Sequence, residues 1–102
     1  MQDFITAKRE EIAELCRTHH VRRLAVFGSA VRDDFDPMRS DIDLLVEFGP
    51  EAQHCYSRNF FSLEEEMARL FGRDVDLVVS ETLENPFIIR RIREQQEQLY
   101  AA

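Results

Sequence analysis

Two carboxylates one residue apart, Asp41 and Asp43, lie in the run Ser40-Asp41-Ile42-Asp43-Leu44-Leu45-Val46. On an extended strand, residues two apart share a face and stand ~6.6 to 6.8 Å from one another along the chain. A third acid, Asp76, sits in a similar apolar setting, Val75-Asp76-Leu77-Val78. If the two strands pair, all three carboxylates can converge at one end of a sheet. Carboxylates gathered there repel, so one of them takes a proton or a cation binds between them. Hard oxygen donors without a nearby Cys or neutral His favour Mg²⁺ or Mn²⁺, ions that keep several waters and bind through a few carboxylates together with substrate phosphates. Such ions clamp the attacking and leaving oxygens of an in-line phosphoryl or nucleotidyl transfer.

The other half of such a substrate fits Gly28-Ser29, upstream of the acids. A glycine lets the chain turn closely against phosphate, and a Ser hydroxyl with the following backbone N–H groups can donate hydrogen bonds to it. Arg32, one turn further on, can reach the same anion. Each feature has an ordinary structural reading by itself: Gly-Ser is most often a turn, Asp-X-Asp a solvated strand end, and Asp76 or Arg32 a surface charge. Their combination, in the order strand, turn, strand and strand, is far more specific and positions a triphosphate over a metal pair.

The elements that must position these residues follow from periodicity. Phe4, Ile5, Ile12, Leu15 and Cys16 recur at helical spacing and predict an amphipathic first helix ending near Thr18. His19 and His20 follow it; as neighbours they point apart, which speaks against a shared metal. Val21 to Phe27 reads as a buried strand closed by Gly28, and the polar stretch 33–39, with Asp36-Pro37, as a loop. From 41 to 48 the alternation is strict, Ile42, Leu44, Val46 and Phe48 on one face and Asp41, Asp43, Leu45 and Glu47 on the other. Gly49-Pro50 breaks this strand, and residues 51–59 carry no assignable pattern. Phe60, Leu63, Met67 and Leu70 mark a second helix, with Ser62 and Glu65 as a capping box and Gly72 as its C-terminal cap. Residues 73–79 alternate again as a third strand. Asn85-Pro86 starts a third helix whose buried stripe would be Ile88, Ile89, Ile92 and Leu99, with Arg90, Arg91 and Arg93 on its wetter side. Gln98-Leu99-Tyr100 either frays or adds an edge strand. The resulting expectation is an α/β (α+β) fold, a small mixed β-sheet covered by about three helices.

Composition narrows the function. At 102 residues, with no repeat or linker, the chain is expected to form a single domain over 1–102. The net charge of -7 argues against a general nucleic-acid binder, because backbone affinity comes from clustered cations. Arginine supplies every one of the 13 basic residues except Lys8, which suits planar, bidentate contacts to phosphates, carboxylates or partner surfaces. Cys16 and Cys55 stand at no metal-ligand spacing, no targeting segment is evident and no apolar run approaches the ~20 residues that cross a bilayer. A cytoplasmic protein without membrane association is expected.

Gly28-Ser29-Ala30-Val31-Arg32 followed by Ser40-Asp41-Ile42-Asp43-Leu44-Leu45-Val46 resembles the signature of the DNA polymerase beta-like nucleotidyltransferase superfamily, closest to its minimal nucleotidyltransferase (MNT) branch, the antitoxins of HEPN–MNT toxin–antitoxin pairs. The resemblance spans almost the whole chain. It implies the polymerase beta-like fold, with Asp41, Asp43 and Asp76 as catalytic and metal-binding acids and Gly28, Ser29, Arg32 and Ser40 at the nucleotide. It further implies Mg²⁺, two ions with Mn²⁺ as substitute, and ATP as substrate. By the same resemblance the chain would be the antitoxin of a type VII-like pair, moving AMP or another nucleotide to a tyrosine hydroxyl of a HEPN-type toxin. Two features differ from the common pattern: Asp33 and Asp34 follow Arg32 where glycine is usual, and eleven residues, 30 to 40, separate Gly-Ser from Asp41. The competing readings are an antitoxin that neutralises its toxin by binding alone, and a small-molecule nucleotidyltransferase of the antibiotic-modifying kind. Self-association is left open.

Overall fold

The computed structural model describes residues 3–31 and 41–102. Its elements in order are helices α1 (Asp3–Thr6) and α2 (Arg9–Thr18), strand β1 (Val21–Phe27), a 3₁₀ turn (Gly28–Val31), strand β2 (Ile42–Phe48), a second 3₁₀ turn (Pro50–Cys55), helix α3 (Tyr56–Phe71), strand β3 (Val75–Val79), a third 3₁₀ turn (Ser80–Thr82), helix α4 (Pro86–Gln95) and strand β4 (Glu97–Ala101). The four strands form one sheet in the order β3-β2-β1-β4. β1 runs antiparallel to both β2 and β4, and β2 runs parallel to β3, so the sheet is mixed, as expected. The expected loop at 33–39 lies outside the described residues.

Period-two patterning decides which way the sheet faces. Ile42, Leu44 and Val46 of β2 are fully buried, as are Leu24 and Val26 of β1, and they meet Leu77 and Val79 of β3. Ile5, Ile12 and Cys16 from the first two helices and Leu63, Met67 and Phe71 from α3 close over this face to complete the core. The residues between the buried ones, Asp43, Leu45 and Glu47 on β2 and Asp76 and Val78 on β3, occupy the opposite face and remain partly or fully exposed. The core therefore lies on one side of the sheet, and the acids lie on the other.

Several boundaries differ from the sequence expectation. The first helix is two pieces, because the Lys8 N–H bonds back to the Ile5 carbonyl over three residues (3.1 Å) before α2 starts. The second expected helix begins at Tyr56 rather than near Phe60. Tyr56 packs edge-on against Phe48 (5.4 Å between centroids), and the buried Asn59 donates to the Cys55 sulfur (3.1 Å), contacts that extend the helix backwards. Ser62 therefore lies inside α3 and forms no capping box with Glu65. Its hydroxyl instead meets His19 Nε2 at 2.9 Å, while His19 Nδ1 donates to the Leu15 carbonyl at 2.7 Å. His19 is thus a buried clasp between α2 and α3. Gly72 caps α3 in the left-handed conformation (φ +67°), as expected.

Asn85 caps α4 as its sequence predicts, its side-chain oxygen accepting from the N–H groups of Phe87 (2.9 Å) and Ile88 (3.4 Å). The expected buried stripe is narrower. Only Ile92 of α4 is buried, Ile88 is largely exposed, and Leu99 lies on β4 instead. β4 resolves the open question at Gln98-Leu99-Tyr100 as an edge strand, since pairing with β1 satisfies backbone groups that a frayed end would leave to water.

Burial also sets thiol chemistry. Desolvation pushes the Cys16 thiol up to about 12, whereas Cys55 is only half buried. The thiolate is the nucleophile, so Cys16 stays inert in the folded chain. Alkylation with iodoacetamide near pH 8 should modify Cys55 in the native protein and reach Cys16 only after denaturation, as read by mass spectrometry. Truncating Leu44 to Ala at the centre of the core should cost about 2–5 kcal/mol in a urea titration.

Candidate active site

Three strands end side by side where the acids lie. Phe27, the last residue of β1, pairs with Asp43 of β2, and Asp43 pairs in turn with Asp76 of β3. Register partners point to the same face, and neighbouring strands lie ~4.8 Å apart. Asp43 and Asp76 are therefore direct neighbours on the face away from the core. Asp41 immediately precedes β2 and is exposed, and the strand's first hydrogen bond runs from the Ile42 N–H to the Asp74 carbonyl (3.1 Å). That bond locks the starts of β2 and β3 together just where the acids sit.

Gly28 begins the turn after Phe27 with φ +73°, the left-handed region that glycine enters without a steric penalty. Its missing side chain also makes room. A Cβ built there would lie 3.2 Å from Asp43 Cγ and closer still to the carboxylate Oδ2. The Gly28 turn and the Asp43 carboxylate are thus in direct apposition. Ala30, two residues on, is fully buried and anchors the turn to the core.

The expected site residues divide accordingly. Gly28, Asp43 and Asp76 are brought together by strand register. Asp41 stands two residues before Asp43, and among the described residues no group of three His, Cys, Asp or Glu side chains is already gathered for a metal. The Ser29 side chain, Arg32 and Ser40 lie outside the described residues, as do Asp33 and Asp34. The donors of Asp41, Asp43 and Asp76 are hard carboxylate oxygens, with no thiolate or imidazole among them, which suits Mg²⁺ or Mn²⁺ in preference to zinc.

One flank of the site went unrecognised in the sequence. α4 lies against the Gly28 turn, and between them is a cleft of about 210 Å³ lined by Phe27, Gly28, Ile88, Arg91, Ile92 and Gln95. The Asn85 cap sets the phase of α4, and Ile88 and Ile92 at four-residue spacing mark the side that packs. What the spacing cannot give is that this side meets the Gly28 turn. Larger clefts occur elsewhere, including one of about 380 Å³ between α2 and α3 lined by Glu11, Glu14, Leu15, Glu66, Arg69 and Leu70. Arg69 pairs there with Glu66 and Glu65, so its charge is engaged locally, and none of Asp41, Asp43 and Asp76 lines that cleft.

A mixed sheet with two carboxylates in register beside a left-handed glycine turn is the arrangement expected of a nucleotidyl-transferring site. Comparison with known proteins places the chain further. The nucleotidyltransferase domain family matches residues 9–97, and the chain belongs to that family. A candidate protein adenylyltransferase of Methanocaldococcus jannaschii is 36% identical over 92 residues, covering 82% of this chain and 90% of the relative. The solved structure of a candidate minimal nucleotidyltransferase superposes with a TM-score of 0.68 at 30% identity, covering 94% of this chain and 95% of the other. The MNT antitoxin in complex with a tri-AMPylated HEPN toxin of Shewanella oneidensis shares the fold, with a TM-score of 0.64 at 19% identity over 96% of this chain and 73% of that one. Within its family the chain is a nucleotidyltransferase, similar to that minimal member and to the protein adenylyltransferase MntA of Thermococcus cleftensis, which is 33% identical over 94 residues, covering 92% of this chain and 88% of the relative.

The two left-handed glycines separate backbone strain from site geometry. Gly28→Ala and Gly72→Ala should each lower stability by about 1–2 kcal/mol in chemical denaturation, the cost of a Cβ in that conformation. An added Cβ at Gly72 meets no atom within 4 Å, whereas at Gly28 it displaces Asp43. Only Gly28→Ala should abolish ATP binding in isothermal titration.

Proposed function

We infer that this chain is an Mg²⁺-dependent protein adenylyltransferase, acting as the antitoxin of a HEPN–MNT pair by transferring AMP from ATP to a tyrosine hydroxyl of its HEPN-type partner. The observation that carries the reading is the register Phe27–Asp43–Asp76, which sets two carboxylates next to each other beside the Gly28 turn. The protein adenylyltransferase relatives and the AMPylated toxin of the Shewanella oneidensis complex support the choice of nucleotide and acceptor.

The roles follow from position. Asp41 and Asp43 would hold Mg²⁺, with Asp76 beside them, and the metal supplies Lewis-acid stabilisation of the charge that develops on the transferring phosphoryl group. The backbone of the Gly28 turn, with Ser29, Arg32 and Ser40, would bind the triphosphate. Asp76, exposed on the edge strand and adjacent to Asp43, is placed to accept the proton of the incoming hydroxyl. The tyrosine oxygen attacks the α-phosphorus, a new P–O bond forms as the bond to the β-phosphate breaks, and pyrophosphate leaves. The proton taken by Asp76 returns to water.

The chain works as one domain over 1–102 in this reading, and the acceptor comes from another protein. No helix among the described residues is long and apolar enough to cross a membrane. A cytoplasmic setting agrees with two free thiols and an ATP substrate.

Incubation of the purified chain with its HEPN partner, labelled ATP and Mg²⁺ should place label on a partner tyrosine. Asp76→Asn should slow labelling by about 10² to 10⁴-fold, the range typical of a lost general base. Asp43→Asn should do at least as much harm, and chelation by EDTA should stop transfer. Label that persists unchanged in Asp43→Asn would defeat the catalytic reading; neutralisation of the toxin without any label would leave an antitoxin that works by binding.

A further inference from the structure

α4 presents to solvent what most surface helices hide. Phe87 is 78% exposed and Ile88 47%, and they lie at the start of a helix that also carries Arg90, Arg91 and Arg93, all exposed. Arg90 shares its charge with Glu94 at 3.5 Å; Arg91 and Arg93 form no ion pair among the described residues. Three guanidinium groups within four residues stand out on a chain whose net charge is -7. The helix borders the Gly28 turn, with Arg91 lining the cleft next to it.

We propose that α4 is the docking surface for the protein acceptor, and that the segment it binds is acidic with an apolar anchor. Charge complementarity at contact range decides the occupant: the exposed arginines of α4 pair with an acidic segment, while the net charge of -7 on each copy disfavours a second copy of this chain. Aromatic and arginine side chains are the groups that dominate protein interfaces, the ring filling an apolar pocket on the partner while guanidinium groups pair with carboxylates around it. Nucleic acid fits less well, since three arginines on one helix are fewer than the roughly 6–10 phosphate contacts that give backbone affinity its strength. A partner seated on α4 lies beside the turn next to Asp43 and Asp76, so docking brings its hydroxyl to the acids. The inference rests on the protein-acceptor reading above.

The test measures binding apart from transfer. Fluorescence anisotropy at low salt, with a labelled random Glu–Tyr copolymer, should show binding to the wild-type chain, weakening as salt rises, while a Lys–Tyr copolymer should not bind. The triple substitution Arg90→Glu, Arg91→Glu, Arg93→Glu should weaken binding by about ten-fold or more. Phe87→Ala should weaken it a few-fold, and Arg58→Glu on α3 should leave it unchanged. Circular dichroism confirms that each variant is folded. No binding by the wild-type chain, or equal binding by the triple variant, overturns the proposal; so does binding of a uridine oligonucleotide in place of the acidic polymer. With ATP and Mg²⁺ added, binding without AMP transfer counts against the adenylyltransferase reading and leaves the docking surface standing. Transfer that is equal in wild type and triple variant does the reverse.

Discussion

The register of β2 is the constraint on which the rest depends. This strand is hydrogen-bonded on both sides, antiparallel to β1 and parallel to β3, and it contributes Ile42, Leu44, Val46 and Phe48 to the core. A slip of one residue would turn Asp43 and Glu47 into the apolar layer and expose the four core residues. Burying an unpaired carboxylate is far more costly than any single contact could offset. The burial that stabilises the fold therefore also fixes Asp43 opposite Phe27 on one side and Asp76 on the other. Site geometry and core packing are one condition here.

The helical layer serves that sheet from one side only. α2 and α3 are joined through His19, whose ring spans the Leu15 carbonyl and the Ser62 hydroxyl, and Phe4 meets Phe71 edge-on at 6.2 Å with Arg73 stacked over the Phe4 ring at 4.7 Å. These contacts hold the first helices and α3 against the buried face. Among the described residues, the opposite face keeps only α4 near its acidic end, and the carboxylates lie at a margin of that face, where Asp76 is exposed on the edge strand. The small cleft beside Gly28 agrees with that arrangement.

Much of this was readable in the chain itself. The strict alternation around Asp43, the Asn85-Pro86 helix start and the Gly72 cap are local signals, each satisfied by the residue's own backbone preference, and all three are found as the sequence predicts. The failures are of a different kind. Ser62 and Glu65 match a capping pattern, yet the helix continues backwards through Tyr56, whose ring packs edge-on against Phe48 of β2. Leu99 fits the helical period of α4, but β1 has an unpaired edge and takes it into the sheet. In both cases a distant partner outweighed a local preference worth about 1 kcal/mol or less.

The sequence by itself determined the chemistry on offer: which residues are acids, that Asp41 and Asp43 alternate with core positions, and that a glycine turn precedes them. These depend on covalent order and on the two-residue period of a strand, which no tertiary contact alters. Only the tertiary structure decided that β3 pairs parallel to β2 in the register that sets Asp76 beside Asp43, that the Gly28 turn abuts the Asp43 carboxylate, and that α4 flanks the turn with its arginines outward. Strand order and helix placement are set by how separate apolar faces bury one another across the whole chain, and that sum is not written in any single stretch of it.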